Sequence, residues 1–130
     1  MAKANGKIDV SKLNTPPLEH EFKTVKLLAS KGFDVEFLKP NQHKGSKTPD
    51  IRMANLLWEI KCPKGKGKYT LAHAFKAAAK QSSNIIVDLR GYNFDQENAI
   101  NKLIKEFDVS KRVKRMKIIR KPQKILDFIK

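Results

Sequence analysis

Cysteine is almost missing from this chain. One thiol, Cys62, in 130 residues excludes an intramolecular disulfide and a cysteine-rich zinc site. Long apolar runs are missing too, and none approaches the roughly 20 residues that a helix needs to cross a bilayer. The opening MAKANGKIDV lacks the apolar centre of a signal peptide, and no segment repeats at a fixed period. Carboxylates are the other scarcity. Thirteen Asp and Glu stand against 28 Lys and Arg, for a net charge of +15 and a pI near 10.0. A fold carrying that imbalance repels itself, and a polyanionic partner is the usual reason for it. Nucleic acid leads, ahead of an anionic membrane surface or an acidic protein.

What is present suffices for one packed domain. The 40% hydrophobic and 32% charged content belongs to a globular chain, and the length suits one core rather than two. Residues 1–16 are polar and end in Thr15-Pro16, so they read as a flexible leader, with the domain proper at 17–130. A helix follows over 17–31, with Leu18, Phe22, Val25, Leu28 and Ala29 as its apolar stripe and Gly32 at its end. Strands are predicted at 33–38, 50–53 and 56–62, and 40–48 is loop. Thr70 is the expected N-cap of a helix to Gln81. Asn84–Leu89 reads as a buried strand, Asp95 as the cap of a helix to Phe107, and the chain closes in a hairpin around Lys121-Pro122-Gln123. The order is α-β-β-β-α-β-α-β-β: an α/β domain with a central mixed sheet flanked by helices.

The chemistry gathers in PDIRMANLLWEIK, residues 49–61. Alternation sends Glu59 and Lys61 to one face and Trp58, Ile60 and Cys62 to the other, apolar one. With Ala54-Asn55 as a two-residue turn, Asp50 falls opposite Glu59 and Lys61 lies one step along. Like charges across a ladder are destabilising, and a divalent cation between them reverses the sign. Asp followed by Glu-x-Lys suits metal-dependent phosphodiester hydrolysis: two oxygen ligands for Mg²⁺, and a lysine to position water and offset charge on the phosphate. Glu21, about 50° from the centre of the helix stripe, sits at the edge of the packed face. It is either a third metal ligand or a rim residue paired with Lys23 or Lys26.

At these residues the sequence resembles the PD-(D/E)xK nuclease superfamily, with Pro49-Asp50 and Glu59-Ile60-Lys61 as the two halves of its motif. The run SKTPDIRMANLLWEIKCPKGKGKYT, followed by AAKQSSNIIVDL, looks more closely like the C-terminal toxin domain of contact-dependent inhibition proteins, of the kind that cleaves tRNA. That likeness extends over roughly residues 17–128 and includes the helix Glu and the Leu-Ala-x-x-Gly ending, Leu28 to Gly32. It implies a restriction-endonuclease-like fold, RNA as substrate and a divalent metal, Mg²⁺ foremost, with Mn²⁺ or Zn²⁺ as alternatives. By position it makes Asp50, Glu59 and Lys61 catalytic, Glu21 an aid at the metal, and Gln81 a supporting site residue. An inhibitory, acidic immunity-type partner and a cytoplasmic site of action follow. The chain begins with its own Met and carries no large delivery region, so the delivery role of those toxins does not transfer.

Further basic residues are candidate nucleic-acid contacts or plain solvated surface. Lys64, Lys66 and Lys68 lie in a Gly-Lys loop that lacks the spacing of a P-loop. His73, Lys76 and Lys80 recur at helical steps and would face the same cleft. Arg115 belongs to the densest basic run, 111–121, where backbone contact with RNA competes with edge protection. Trp58 is assigned to the core and Cys62 to a small buried hydrophobe. Two rival functions remain open at this stage: a DNA endonuclease of a mobile element, and a non-catalytic nucleic-acid-binding module.

Overall fold

The protein was analysed as a computed structural model, which describes residues 5–39, 48–65, 67 and 69–130. The order is β1 (Ile8–Asp9), α1 (Glu19–Ser30), β2 (Val35–Phe37), β3 (Ile51–Met53), β4 (Leu56–Lys61), α2 (Thr70–Gln81), β5 (Asn84–Asp88), α3 (Gln96–Val109), β6 (Arg115–Arg120) and β7 (Lys124–Ile129). The strands form one seven-stranded mixed sheet in chain order, β1 to β7. Pairs β1–β2, β4–β5 and β5–β6 are parallel, and the others are antiparallel. This is the expected α/β sheet flanked by helices, with one strand added at its start.

Both faces of the sheet are covered. Val25, Leu27 and Leu28 of α1 pack on Trp58, Ile60, Ile86 and Ile119. Leu71 and Phe75 of α2 and Leu103 and Phe107 of α3 pack on Ile85, Val87, Met116 and Ile118. Successive residues of β5 and β6 thus feed opposite cores, which is why Asn84–Asp88 is buried throughout. The Glu59 side of β4 is covered as well: Glu59 is only 6% exposed.

Several local signals act as expected. Asp95 caps α3 by accepting the Asn98 N–H at 3.1 Å. α1 ends in a Schellman pair, Gly32 N–H to Ala29 O at 2.9 Å and Phe33 N–H to Leu28 O at 3.2 Å, with Gly32 supplying a φ of 97°. Other expectations are corrected. α1 begins at Glu19 after an extended Leu18. Thr70 is the first helical residue of α2 rather than its cap, a position held by Tyr69. The leader is not wholly outside the fold, because Ile8–Asp9 pairs in parallel with Val35–Glu36. Gly6 permits this: its N–H reaches Ala29 O at 2.7 Å, and a Cβ there would lie 1.8 Å from Phe33 O. The expected 40–48 loop falls outside the described residues except for Thr48.

Candidate active site

The β3–β4 hairpin sets the site. Its ladder pairs Ile51 with Trp58, Arg52 with Leu57 and Met53 with Leu56, closed by Ala54 and Asn55 at φ 54° and 62°, the signature of a two-residue type I′ turn. One step beyond the ladder, the Asp50 N–H donates to Trp58 O at 2.9 Å. Asp50 Oδ2 accepts the Ile60 N–H at 2.8 Å. The register places Asp50 against Glu59, and Lys61 Nζ lies 3.4 Å from Glu59 Oε2.

α1 brings Glu21 to Asp50. Burial, then the Asp50 charge, push the Glu21 carboxyl up to about 7. Glu59 is raised to about 8, by burial first and Asp50 second, with Lys61 opposing. Asp50 is also held above its ordinary value by burial, against the Ile60 N–H and the charges of Lys61 and His20. The alternative of a lysine partner for Glu21 does not hold: Lys23 pairs with Glu19 at 3.5 Å, and Lys26 lies over the Phe22 ring at 5.8 Å. Glu21 instead has His20 Nε2 at 4.0 Å. A cleft of about 610 Å³ opens onto Glu21, Asp50 and Gln81.

Two buried oxygens here lack a donor among the described residues, Glu59 Oε1 and Gln81 Oε1. Buried acceptors are normally satisfied, so a pair of orphans beside crowded carboxylates fits a cation. Among the described residues no three His, Cys, Asp or Glu side chains form a ready metal cage. A cation there would rest on one or two carboxylates, as Mg²⁺ does when water and phosphate complete its shell. Asp50 and Glu59 would hold the ion, with Glu21 behind Asp50 and the Gln81 carboxamide nearby.

The remaining candidates are not gathered at this point. His73, Lys76 and Lys80 are exposed on α2 and are not among the residues lining the Glu21–Asp50–Gln81 cleft. Lys64 lines a separate cleft of about 450 Å³ with His20, Lys23, Cys62, Asp88 and Arg90. Lys66 and Lys68 lie outside the described residues. Arg115 projects from the α1 side of the sheet, opposite to Met116 and Ile118, and donates to Asn84 Oδ1 at 3.4 Å. The Cys62 thiol is pushed by burial up to about 11, consistent with a packing role.

Sequence reasoning missed a buried lock behind the site. Asp88, 5% exposed, accepts from Arg90 Nη2 at 2.8 Å and from Thr24 Oγ1 at 2.7 Å. Arg90 Nη2 also donates to Lys23 O at 3.1 Å. These bonds tie α1, and with it His20 and Glu21, to the end of β5. The signals were an Asp closing an apolar strand and a Thr on a helix face otherwise apolar.

Residues 47–125 match the family model described as the contact-dependent growth inhibition CdiA C-terminal domain. Among solved structures, the chain is similar to one from Burkholderia pseudomallei titled a CdiA-CT/CdiI toxin and immunity complex. The TM-score is 0.69 at 22% identity, covering 96% of this chain and 100% of the other, which is a likeness of fold. A comparison with curated proteins finds no match.

Proposed function

This chain belongs to the contact-dependent growth inhibition CdiA C-terminal domain family, and we propose that it is a toxin domain that hydrolyses the phosphodiester backbone of RNA, tRNA foremost, with a divalent metal. The observation that carries the reading is the Glu59 carboxylate: buried, opposite Asp50, 3.4 Å from Lys61 Nζ, with its other oxygen unpaired. A structural ion pair needs no second carboxylate pressed against it. A metal-dependent phosphodiesterase uses one to hold its cation.

A bound Mg²⁺ would lower the pKa of a coordinated water and offset charge on the phosphate. The chain's own groups do the rest. Asp50, held by the Ile60 N–H, and Glu59, held by Lys61, present oxygens from a rigid ladder. Lys61 lies beside them, 31% exposed at its side chain, to orient an attacking water and stabilise the charge that grows on the phosphoryl oxygens. Glu21 lines the same cleft as Asp50, where it would assist at the metal. The cytoplasm, where tRNA resides, is the proposed site of action. No helix among the described residues is long and apolar enough to cross a membrane.

The test is digestion of total RNA and plasmid DNA with Mg²⁺, Mn²⁺, Zn²⁺ or EDTA, wild type beside Asp50→Ala and Lys61→Ala. Cleavage of RNA that needs metal and falls at least a thousandfold, roughly 4 kcal/mol of barrier, in both variants is expected. Plasmid cleavage with RNA left intact would move the substrate to DNA. Cleavage that persists in both variants would end the assignment.

A further inference from the structure

The outer face of α2 carries a pattern that the hydrolytic site does not use. Tyr69, His73, Lys76 and Lys80 recur at i, i+4, i+7 and i+11, so they share one stripe. It lies opposite the buried Leu71, Phe75 and Ala78. Tyr69 is 60% exposed, although a tyrosine ring is usually worth burying. His73, one turn on, is exposed and stacks against it with centroids 6.1 Å apart and planes at 29°. Past the two rings come two ammonium groups, and the stripe ends at Lys80, about 16 Å from Tyr69 along the helix and next to the orphaned Gln81.

We propose that Tyr69 and His73 form a stacking platform for an unpaired base of a single-stranded nucleic acid, with Lys76 and Lys80 following its phosphates toward the Asp50–Glu59 site. Flat π-faces take any base, and cations track the backbone, which is how single strands are held without sequence readout. A duplex offers no free base face, so the stripe would select unpaired nucleotides such as a loop or a 3′ end. This inference rests on the nuclease reading for its direction along α2, but the binding it describes does not need cleavage.

Fluorescence anisotropy separates the two. A labelled single-stranded RNA 12-mer and a blunt-ended 12-bp RNA duplex are titrated into the Lys61→Ala protein, alone and combined with Tyr69→Ala or Tyr69→Phe. Tyr69→Ala should weaken single-strand binding about tenfold, roughly 1.4 kcal/mol. Tyr69→Phe should stay near the parent, since the ring is kept, and duplex binding should not change. An abasic 12-mer should bind weakly and lose nothing further with Tyr69→Ala. Unchanged single-strand binding, or an equal loss on duplex, overturns the platform even if the wild type cleaves RNA. The expected pattern in a protein that cleaves nothing would support the platform while the nuclease reading fails.

Discussion

An acceptor with no donor is costly inside a protein, and Glu59 Oε1 and Gln81 Oε1 are both in that position. The cost of a buried unsatisfied group is about 1–3 kcal/mol, and an apolar replacement of similar shape removes it. Gln81→Met should therefore raise the melting temperature of the metal-free protein, by about 3 °C or more. RNA cleavage should drop about ten- to a hundredfold, the usual effect of losing a supporting group at a metal site. Thermal melts in EDTA beside initial rates in Mg²⁺ check both. A variant with lower stability and unchanged rate would make Gln81 an ordinary structural residue. Asp88 supplies the opposite case, a satisfied buried charge. Although burial opposes it, bonds from Arg90 and Thr24 hold its carboxyl below the ordinary 3.8. A depressed carboxylate stabilises the fold fully above its unfolded value, and that contribution disappears as pH falls through the folded one. Arg90→Ala leaves Asp88 buried with the Thr24 hydroxyl and a backbone N–H, which should cost about 3 kcal/mol at pH 7. The gap to wild type should close as pH drops below 4. Urea unfolding at pH 7 and pH 3 would show it, and an equal gap at both would mean that the loss is packing alone.

The hairpin that carries Asp50 and Glu59 is turned by two residues in the left-handed region, Ala54 and Asn55. An L-residue other than Asn or Gly pays about 1–2 kcal/mol there, and Asn-Gly is the pair such a turn prefers. Ala54→Asn with Asn55→Gly should stabilise the domain by about 1 kcal/mol. It should leave cleavage alone, because the turn closes the end of the ladder remote from Asp50. A denaturation midpoint and a rate measured together decide it, and a stability loss would contradict the turn. Ala-Asn is a weak signal for that turn, and the expected register rested on taking it as two residues; the ladder with Ile51 against Trp58 has that register and sets both apolar sets toward one core. The nearness of Asp50, Glu59 and Lys61 was legible from that turn, and the place of Glu21 beside Asp50 from its angle on α1. β1 was not, because two residues in a polar segment carry no periodicity and pair only when β2 is already in place. Gly6 was the trace it left, a residue admitted where a side chain would strike Phe33. The Asp88–Arg90–Thr24 lock joins residues far apart in the chain, and local pattern says nothing about such meetings. Tyr69 was hidden by its neighbours, since a tyrosine beside a helix start is as often buried as displayed.

At the scale of the whole molecule, +15 is the dominant fact, and it is unevenly available. Lys117 is engaged by Asp127 and lies over the Phe33 and Trp58 rings at 5.0 and 5.6 Å. Arg120 pairs with Glu97 at 2.6 Å, and Arg90 is committed to Asp88. Exposed cations such as Lys64, Lys76 and Lys80 remain to meet a polyanion. An acidic immunity partner, which we propose by charge complementarity, would compete with RNA for that surface, and its association would slow as salt rises. For the substrate, each phosphate neutralised on a single strand contributes about −0.7 to the slope of log K against log salt. If the α2 stripe and the flanking lysines engage three or four phosphates, kcat/KM should fall about 20- to 50-fold between 50 and 200 mM salt. The value of kcat at saturation should barely move, because Asp50, Glu59 and Lys61 are held by the ladder and by one another rather than by the outer charges. Lys76→Gln with Lys80→Gln should flatten the slope by about 1.4 and leave kcat intact. A kcat that falls with salt alongside kcat/KM would place the salt-sensitive step in the chemistry instead of in capture of the strand.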